Sequence, residues 1–218
     1  MKICCISDLH GYYPNVGSGD LLIISGDLTA NHTSEEYFKF ESWLYEQNYK
    51  RIIMIAGNHD TFSDTKPYSF LSPPRKSAKH EKLIEYLCDS GTEFEGLKIW
   101  GSPWSLWFSE INPKCTAFTC KTEEELKEKW DLIPNNIDIL ITHCPPRGIR
   151  DFTKSKKFAG SKTLVDKLLS SNVKLHVFGH IHECGGQDIF HEFGRKYVNA
   201  SIVNEYYENV NEPIRVIL

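Results

Sequence analysis

Residues 52–60 read IIMIAGNHD, and the architecture expected for this chain follows from that stretch. Five apolar residues stop at Gly57 and are followed at once by Asn58, His59 and Asp60. An apolar run of this length bounded by glycine is typical of a strand buried on both faces of an α/β sheet. Such sheets bind their ligands at the carboxyl ends of the strands. The stretch therefore predicts a buried strand that delivers polar side chains to a functional site.

Four further apolar runs end in the same way. They are residues 3–7, 21–25, 137–142 and 175–178, and they lead to Asp8 and His10, Asp27, His143, and His180 and His182, respectively. Aspartate, asparagine and glycine are also common turn formers, so one such strand end would be a weak signal. Turn chemistry does not call for histidine, however. Five strands that end this way predict that their polar side chains converge on one edge of a sheet.

Composition limits the class of protein. A chain of 218 residues suits one domain, and about 70% of the surface of an unfolded chain of this size can be buried. We find no repeat, low-complexity tract or linker, so we expect a single domain over residues 1–218. The net charge of -4 argues against a long nucleic acid as partner, since a nucleic-acid-binding surface normally carries a basic excess.

The sequence favours a cytoplasmic protein. No apolar run approaches the ~20 residues of a membrane span, and no signal peptide precedes the first predicted strand. Seven cysteines are an odd number and are scattered, which favours reduced thiols over a disulfide framework. Cys144 and Cys184 stand next to candidate site residues, and we expect them to pack as small apolar side chains.

Several local patterns predict further elements. Thr33 with Glu36 forms a capping box at the start of a helix over residues 34–48, and the Glu95-Gly96 pair predicts the turn of a hairpin over residues 92–100. The remaining predicted elements are helices over residues 78–90, 122–130 and 161–171 and strands over residues 197–200 and 214–217.

Two features have alternative interpretations. The aromatic segment of residues 101–108 is interrupted by proline, and its Trp104 and Trp107 either form a stacking wall for a substrate or plug a gap between two layers. Arg147 either meets a substrate phosphate or is an ordinary exposed loop arginine. His176 lies within an apolar strand, so we expect a packed core residue there and not a ligand.

The candidate ligands combine carboxylates, imidazoles and one amide, without a CxxC motif. This set favours divalent ions such as manganese, iron or zinc over a calcium cage or a structural zinc site. The candidate ligands are too many for one ion: they are Asp8, His10, Asp27, Asn58, His143, His180 and His182. Two ions with a shared carboxylate would use them all and would suit an in-line phosphoryl displacement, with a metal-bridging water as the nucleophile.

The motifs SDLHG, GDLT, GNHD, THCPP and GHIH stand in the order of the calcineurin-like metallophosphoesterase signature, which this chain resembles from Asp8 to His182. The resemblance implies a four-layer αββα sandwich, with two mixed sheets flanked by helices, and two metal ions at the strand ends. It also implies roles for individual residues: Asp8, His10 and His182 for the first metal, Asn58, His143 and His180 for the second, Asp27 as the bridge, His59 as the general acid, and Asp60 orienting the His59 ring.

A closer resemblance rests on LKIWGSPW, KWDLIPNNIDILITHCPP, LHVFGHIHE and YVNAS, which are similar to the small metallophosphoesterase-domain-containing subfamily. Its members act on phosphodiesters, including cyclic nucleotides, and favour manganese. The resemblance implies a small phosphodiester or nucleotide as substrate, of the 2′,3′- or 3′,5′-cyclic type, and manganese with iron, zinc or magnesium as alternatives. This chain departs from it at Asp60, where close relatives often carry glutamate.

Other functions remain open from the sequence. Phosphomonoester or phosphoprotein hydrolysis would require basic groups for a dianion, and only Arg147 and loop lysines are available. A non-catalytic scaffold on the same fold is a different class, and such members tend to lose the acid or several ligands. Because His59 and all seven ligands are present, we favour the enzyme.

Overall fold

The computed structural model describes residues 1–61, 84–108, 110, 113–192 and 194–218. The strands are β1 (Lys2–Ile6), β2 (Ser18–Ser25), β3 (Asn48–Ile55), β4 (Ile84–Tyr86), β5 (Ser90–Phe94), β6 (Leu97–Ser102), β7 (Ser105–Leu106), β8 (Thr119–Cys120), β9 (Ile139–Thr142), β10 (Leu175–Phe178), β11 (Phe190–Glu192), β12 (Arg195–Asn199) and β13 (Ile214–Ile217). The helices are α1 (Ser34–Tyr45), α2 (Glu123–Asp131) and α3 (Lys162–Leu169), and a short 3₁₀ helix covers His182–Cys184.

The first sheet has the strand order β13-β1-β2-β3-β4. Strands β1 to β4 run parallel, and β13 is antiparallel at one edge. In the register of the sheet, Ile6 lies beside Ile24, and Ile24 lies beside Met54. Because parallel strands in this register end together, the residues that follow β1, β2 and β3 meet at one edge.

The second sheet has the order β11-β12-β10-β9-β6-β5. Its four central strands β12, β10, β9 and β6 are parallel, and its two edge strands are antiparallel to their neighbours. Val177 lies beside Ile141, so β9 and β10 end together just before His143 and Gly179. Strands β7 and β8 form a separate two-stranded ribbon.

The two sheets pack face to face between two layers of helix, as expected from the alternation of side chains along each strand. Ile3, Cys5, Ile53 and Val177 belong to the buried cluster between the sheets. The opposite face of the first sheet packs with Tyr37, Phe40 and Leu44 of α1. The opposite face of the second sheet packs with Leu126 and Trp130 of α2 and with Leu164 and Leu168 of α3. The predicted four-layer αββα sandwich is confirmed.

The structure also confirms the predicted hairpin turn and the predicted helix cap. The Thr33 side chain accepts a hydrogen bond from Glu36 N, and the Glu36 carboxylate accepts one from Thr33 N, which completes the capping box of α1. Strands β5 and β6 form the predicted hairpin, in which Glu95 and Gly96 both have positive φ, as a two-residue type I′ turn requires.

One predicted helix is wrong. Residues 84–90 of the helix expected over 78–90 contain strand β4, paired with β3, and the first residue of β5. Residues of β4 pair with the backbone of β3 at the edge of the first sheet, and this tertiary pairing outweighs the local helical pattern. Residues 78–83 lie outside the described part of the chain. Helix α1 ends at Tyr45, earlier than expected, because β3 already begins at Asn48.

The described residues include no helix that is both long and apolar enough to cross a membrane. All seven cysteines are free thiols. Cys144 and Cys184 are 1% and 6% exposed, in agreement with the expectation that they pack as apolar side chains. His176 is fully buried in β10, as expected.

Candidate metal centre

The two sheets bring the seven predicted ligands to one place, and four of them form a compact group. The ligand atoms of Asp8, His10, Asp27 and His182 all lie within 4.8 Å of one another. Nε2 of His10 lies 3.3 Å from Nε2 of His182 and 3.7 Å from Oδ2 of Asp27. Nε2 of His182 lies 3.4 Å from Oδ1 of Asp8. Two carboxylates and two imidazoles that face each other this closely form a donor set suited to a divalent ion.

The other three predicted ligands lie on the far side of Asp27. Nε2 of His143 lies 2.9 Å from Oδ1 of Asn58 and 3.3 Å from Oδ2 of Asp27. Nδ1 of His143 donates a hydrogen bond to the Ser25 carbonyl at 2.9 Å, which directs Nε2 toward the cluster. The ring of His180 lies 4.9 Å from that of His143, and its buried Nε2 has no hydrogen-bond partner among the described residues. Asp27 therefore stands between two groups of ligands.

This donor set fits a pair of metal ions. A buried polar nitrogen without a partner is costly, and a metal ion would satisfy Nε2 of His180. Burial lowers the pKa of His10 and of His180 to about 3, which keeps both imidazoles neutral and able to coordinate. Burial alone would raise the pKa of Asp27, but the neighbouring His143, His59 and His10 hold it well below its usual value.

The backbone is shaped for close approach of these ligands. A Cβ atom on Gly179 would lie 2.2 Å from Oδ2 of Asp8, and one on Gly57 would lie 2.3 Å from Oδ1 of Asp27. Only glycine leaves room at these two positions, which explains the glycine that opens each of the motifs GNHD and GHIH.

Four ligand residues have positive φ, which is uncommon outside glycine and concentrates at functional sites. The angles are 54° for Asp8, 42° for His10, 52° for Asp27 and 70° for His180. Backbone hydrogen bonds stabilise these conformations. His180 N donates to both carboxylate oxygens of Asp8 at 3.0 and 3.1 Å. His59 N donates to Oδ1 of Asp27 at 2.9 Å.

His59, the predicted general acid, is 9% exposed and lies beside the cluster. Its ring centroid is 4.7 Å from that of His10 in an edge-on arrangement and 5.9 Å from that of His32, on which it stacks. The sulfur of Cys115 lies 3.2 Å from Nε2 of His59. Three side chains from distant parts of the chain thus surround the imidazole.

Asp60 does not make the contact that the sequence predicted. Its carboxylate accepts hydrogen bonds from the backbone N–H groups of Leu28, Thr29 and Gly57 at 2.8 to 3.3 Å, and none of the hydrogen bonds among the described residues joins it to the His59 ring. Burial and the charge of Asp27 raise the pKa of Asp60 to about 7. Because Leu28 directly follows Asp27, Asp60 braces the backbone that carries this ligand.

A cleft of about 240 Å³ opens on the cluster. Asp27, Asn58, His59, His180 and His182 form its floor. Its walls come from several loops, and they include Phe108, Thr153, Ala159, Glu183, Glu205 and Tyr207. The Phe108 ring stacks on His180 at a centroid distance of 5.7 Å.

The three predicted substrate residues do not line this cleft. Nε1 of Trp104 donates to Oδ2 of Asp89 at 2.7 Å, and the Trp104 ring packs under Nζ of Lys129 at 3.9 Å. The ring also packs against the buried clusters beneath both helical layers, as expected for the interlayer plug of the two alternatives. Trp107 is half-buried directly after β7 and is not among the residues that line the cleft. Arg147 is exposed and donates to the carbonyl of Phe158 at 2.7 Å, so its guanidinium stabilises its own loop.

Sequence reasoning missed the aromatic residues that do line the cleft. Phe108 directly follows Trp107 in the aromatic segment, in which the sequence predicted Trp104 and Trp107 as the stacking residues. Tyr207 lies in a polar turn near the end of the chain, and its sequence context offers no signal.

Comparison with known proteins agrees with this geometry. The model of the calcineurin-like phosphoesterase family matches residues 1–184. Metallophosphoesterase domain-containing protein 1 of Homo sapiens is 34% identical over 237 residues, which cover 100% of this chain and 71% of that protein. A UPF0046 protein of Caenorhabditis elegans is 32% identical, over 98% of this chain and 79% of its own length.

Solved structures share the architecture. The protein TT1561 of Thermus thermophilus matches 93% of this chain and 89% of its own, with a TM-score of 0.55 and 16% sequence identity, a likeness that concerns the fold alone. The family match, by contrast, extends over most of the chain and includes all seven ligand positions. This chain therefore belongs to the calcineurin-like phosphoesterase family.

Proposed function

We propose that this chain is a two-metal phosphodiesterase that hydrolyses nucleotide-like diesters, of which 2′,3′- and 3′,5′-cyclic nucleotides are the leading candidates. The observation that carries the proposal is the position of Asp27. Its Oδ2 lies 3.7 Å from Nε2 of His10 and 3.3 Å from Nε2 of His143, so one carboxylate serves two groups of ligands on the floor of one cleft.

Each group of ligands would hold one divalent ion. We assign Asp8, His10 and His182 to one ion, Asn58, His143 and His180 to the other, and Asp27 to both. When bound, the two ions would lower the pKa of water toward neutrality and offset charge on the phosphoryl oxygens. We propose manganese, because a mixed set of oxygen and nitrogen ligands suits ions of intermediate hardness, among which iron, zinc and magnesium are the competitors.

His59 is the group that we propose to protonate the leaving oxygen. His59 lines the cleft, and its ring lies against His10 of the cluster. A phosphate bound at the metal centre would therefore be within reach of the His59 imidazole. A positioned general acid accelerates departure of a poor alkoxide leaving group by about 10²–10⁴-fold. Asp60 acts on this reaction only through the backbone that holds Asp27.

The charge of the cleft favours a diester over a monoester. Glu183 and Glu205 line its walls, and no lysine or arginine is among the described residues that line it. Glu205 is paired with Nζ of Lys154, whereas Glu183 is in no ion pair among the described residues. A phosphomonoester or a phosphorylated protein presents a dianion, which the Glu183 carboxylate would disfavour more than the single negative charge of a diester. The reduced state of all seven thiols is compatible with action in the cytoplasm, which we propose as its location.

The test compares bis-p-nitrophenyl phosphate, a diester, with p-nitrophenyl phosphate, a monoester. Metal-stripped protein is assayed before and after addition of manganese, as wild type, as Asp27→Asn and as Asp131→Asn. The last variant makes the same chemical change at an exposed position of α2. We expect manganese-dependent hydrolysis with preference for the diester, lost in Asp27→Asn and retained in Asp131→Asn.

Two results would contradict the proposal. Preference for the monoester would point to a phosphomonoesterase or phosphoprotein phosphatase. Bound metal without hydrolysis of either compound would favour a non-catalytic scaffold.

A further inference from the structure

Tyr207 is held over the metal ligands by a tight turn, residues 204–208. Asn204 N donates to the Glu208 carbonyl at 3.0 Å, and Tyr207 N donates to the Asn204 carbonyl at 2.9 Å. Oδ1 of Asn204 also accepts hydrogen bonds from Tyr206 N at 2.9 Å and Glu208 N at 3.0 Å. Tyr207 itself has φ of 62°, so the closed turn orients its side chain.

The ring of Tyr207 contacts three histidines of the site. Its centroid lies 4.8 Å from that of His10, 5.0 Å from that of His182 and 6.0 Å from that of His59. The first two contacts are edge-on, which is a favourable geometry for aromatic pairs. Because Tyr207 is still 38% exposed, part of its ring remains available to a molecule in the cleft.

A second aromatic ring serves the other half of the cluster. Phe108 stacks on His180 with an interplanar angle of 26°, and it lines the same cleft as Tyr207. Each of the two groups of ligands therefore has one aromatic side chain beside it, in a cleft that also holds the carboxylates of Glu183 and Glu205.

We propose that Tyr207 is a specificity-determining residue, which together with Phe108 forms an aromatic subsite for the nucleobase of a phosphodiester held at the metal centre. The inference rests on the proposed hydrolysis of nucleotide-like diesters and specifies what the enzyme recognises outside the phosphate. Stacking on an aromatic side chain tolerates every base, because each has a π face. The carboxylate of Glu183 accepts hydrogen bonds from amino or hydroxyl groups of the same nucleoside.

The neighbouring residue provides a matched control. Tyr206 belongs to the same turn but is 68% exposed, and its ring lies 4.9 Å from Nζ of Lys154 and outside the cleft. Substitution of Tyr206 by leucine therefore makes the same chemical change in the same turn without removing a cleft wall. Tyr207→Phe retains the ring, and Tyr207→Leu removes it.

The first test is binding by isothermal titration calorimetry to the manganese-loaded chain. The probes are adenosine 5′-monophosphate and ribose 5-phosphate, which differ in the base. We expect wild type, Tyr207→Phe and Tyr206→Leu to bind the nucleotide more tightly than the sugar phosphate. In Tyr207→Leu this advantage should fall by on the order of 10-fold. A wild type that binds both probes equally, or a Tyr207→Leu variant that keeps the full advantage, would overturn the subsite.

The second test is turnover of adenosine 3′,5′-cyclic phosphate and of methyl riboside 3′,5′-cyclic phosphate, its analogue without a base. The ratio of the two kcat/KM values should fall on the order of 10-fold in Tyr207→Leu. Equal losses on both compounds would contradict a role in base recognition. If neither is hydrolysed while Tyr207 still sets the preference for the nucleotide probe, the subsite stands and the proposed hydrolysis of cyclic nucleotides fails.

Discussion

The sulfur of Cys115 lies 3.2 Å from Nε2 and 3.7 Å from Nδ1 of His59, the imidazole that the family resemblance paired with Asp60. The contact joins the loop after β3 to a loop 56 residues further along the chain. With the stacked ring of His32 on one side and His10 at an edge, it limits rotation of the imidazole. We therefore expect Cys115 to position the proposed general acid.

Replacement of Cys115 by alanine should therefore impair protonation of the leaving group more than the attack on phosphorus. We expect turnover of a methyl phosphodiester to fall on the order of 10-fold, a part of the ~10²–10⁴-fold contribution of a general acid. Turnover of bis-p-nitrophenyl phosphate should change little, because nitrophenolate leaves without a proton. Cys120→Ala, in β8, is the control. Equal losses on both substrates would indicate a merely structural thiol.

Replacement of Gly179 by alanine should damage the metal centre without removing a ligand. The new Cβ would lie 2.2 Å from Oδ2 of Asp8 and 2.1 Å from Oγ of Ser7, so the carboxylate has to move. We expect manganese affinity to drop by at least about 10-fold, as for loss of groups that orient metal ligands. Equilibrium dialysis measures affinity, and circular dichroism verifies the fold. Gly96→Asn at the open hairpin turn should bind manganese like the wild type.

Manganese should raise the thermal stability of the folded chain. Binding to the folded state alone stabilises by about 2.7 kcal/mol when the free ion is at 100 times its Kd. For a chain of this size, each kcal/mol shifts Tm by about 2–4 °C. Differential scanning calorimetry with and without EDTA should show this shift in the wild type and in Asp131→Asn. An undiminished shift in Asp27→Asn would remove Asp27 from the metal centre.

Replacement of Asp60 by alanine should lower stability even in the absence of metal. The backbone N–H groups of Leu28, Thr29 and Gly57 would lose their acceptor inside the protein, and each unsatisfied buried donor costs about 1–3 kcal/mol. Urea unfolding of metal-stripped protein measures the loss. Asp166→Ala on the exposed face of α3 should stay within about 0.5 kcal/mol of the wild type. A similarly small loss in Asp60→Ala would contradict the bracing role.

His176 should make the protein less stable in acid. Nε2 of His176 lies at hydrogen-bond distance, 2.8 Å, from Oγ1 of Thr142, and burial lowers the pKa of His176 to about 3. Below about pH 6.5 the unfolded chain binds a proton here that the folded chain does not, so stability falls as the pH falls from 6.5 toward 3. The slope from this residue is about 1.4 kcal/mol per pH unit.

The variant His176→Leu should lose that part of the pH dependence. Urea unfolding from pH 7 to pH 4.5 measures it as the difference between the slopes of variant and wild type, with His191→Phe at an exposed site as the matched control. Parallel slopes for wild type and His176→Leu would show that His176 takes up a proton in the folded state.

Much of this protein could be predicted because the signals are local. An apolar strand that ends in Asp, Asn or His can be recognised from a few consecutive residues, such as IIMIAGNHD. Since neighbouring parallel strands end at the same edge, strand ends far apart in sequence meet in space. This reasoning predicted that the seven candidate ligands, Asp27 among them, meet at one edge. The four layers were implied by the family resemblance.

Other predictions failed where the deciding partner is distant. Residues 84–86 became a strand because β3 was available beside them. Trp104 contacts Asp89 and Lys129 and does not line the cleft, and Arg147 donates to the Phe158 carbonyl. Such partners are distant in the chain, so no local sequence pattern predicts these contacts.

The strand pattern was thus enough to identify the candidate ligands, because the residue type of each candidate and its place after a strand can be seen in short segments. The walls of the cleft and the surroundings of His59 depended on the folded chain. Tyr207 reaches His10 across almost the whole sequence, and Cys115 reaches His59 from another loop. The left-handed backbone of Asp8 and His180 is held by hydrogen bonds that exist only once both sheets have packed.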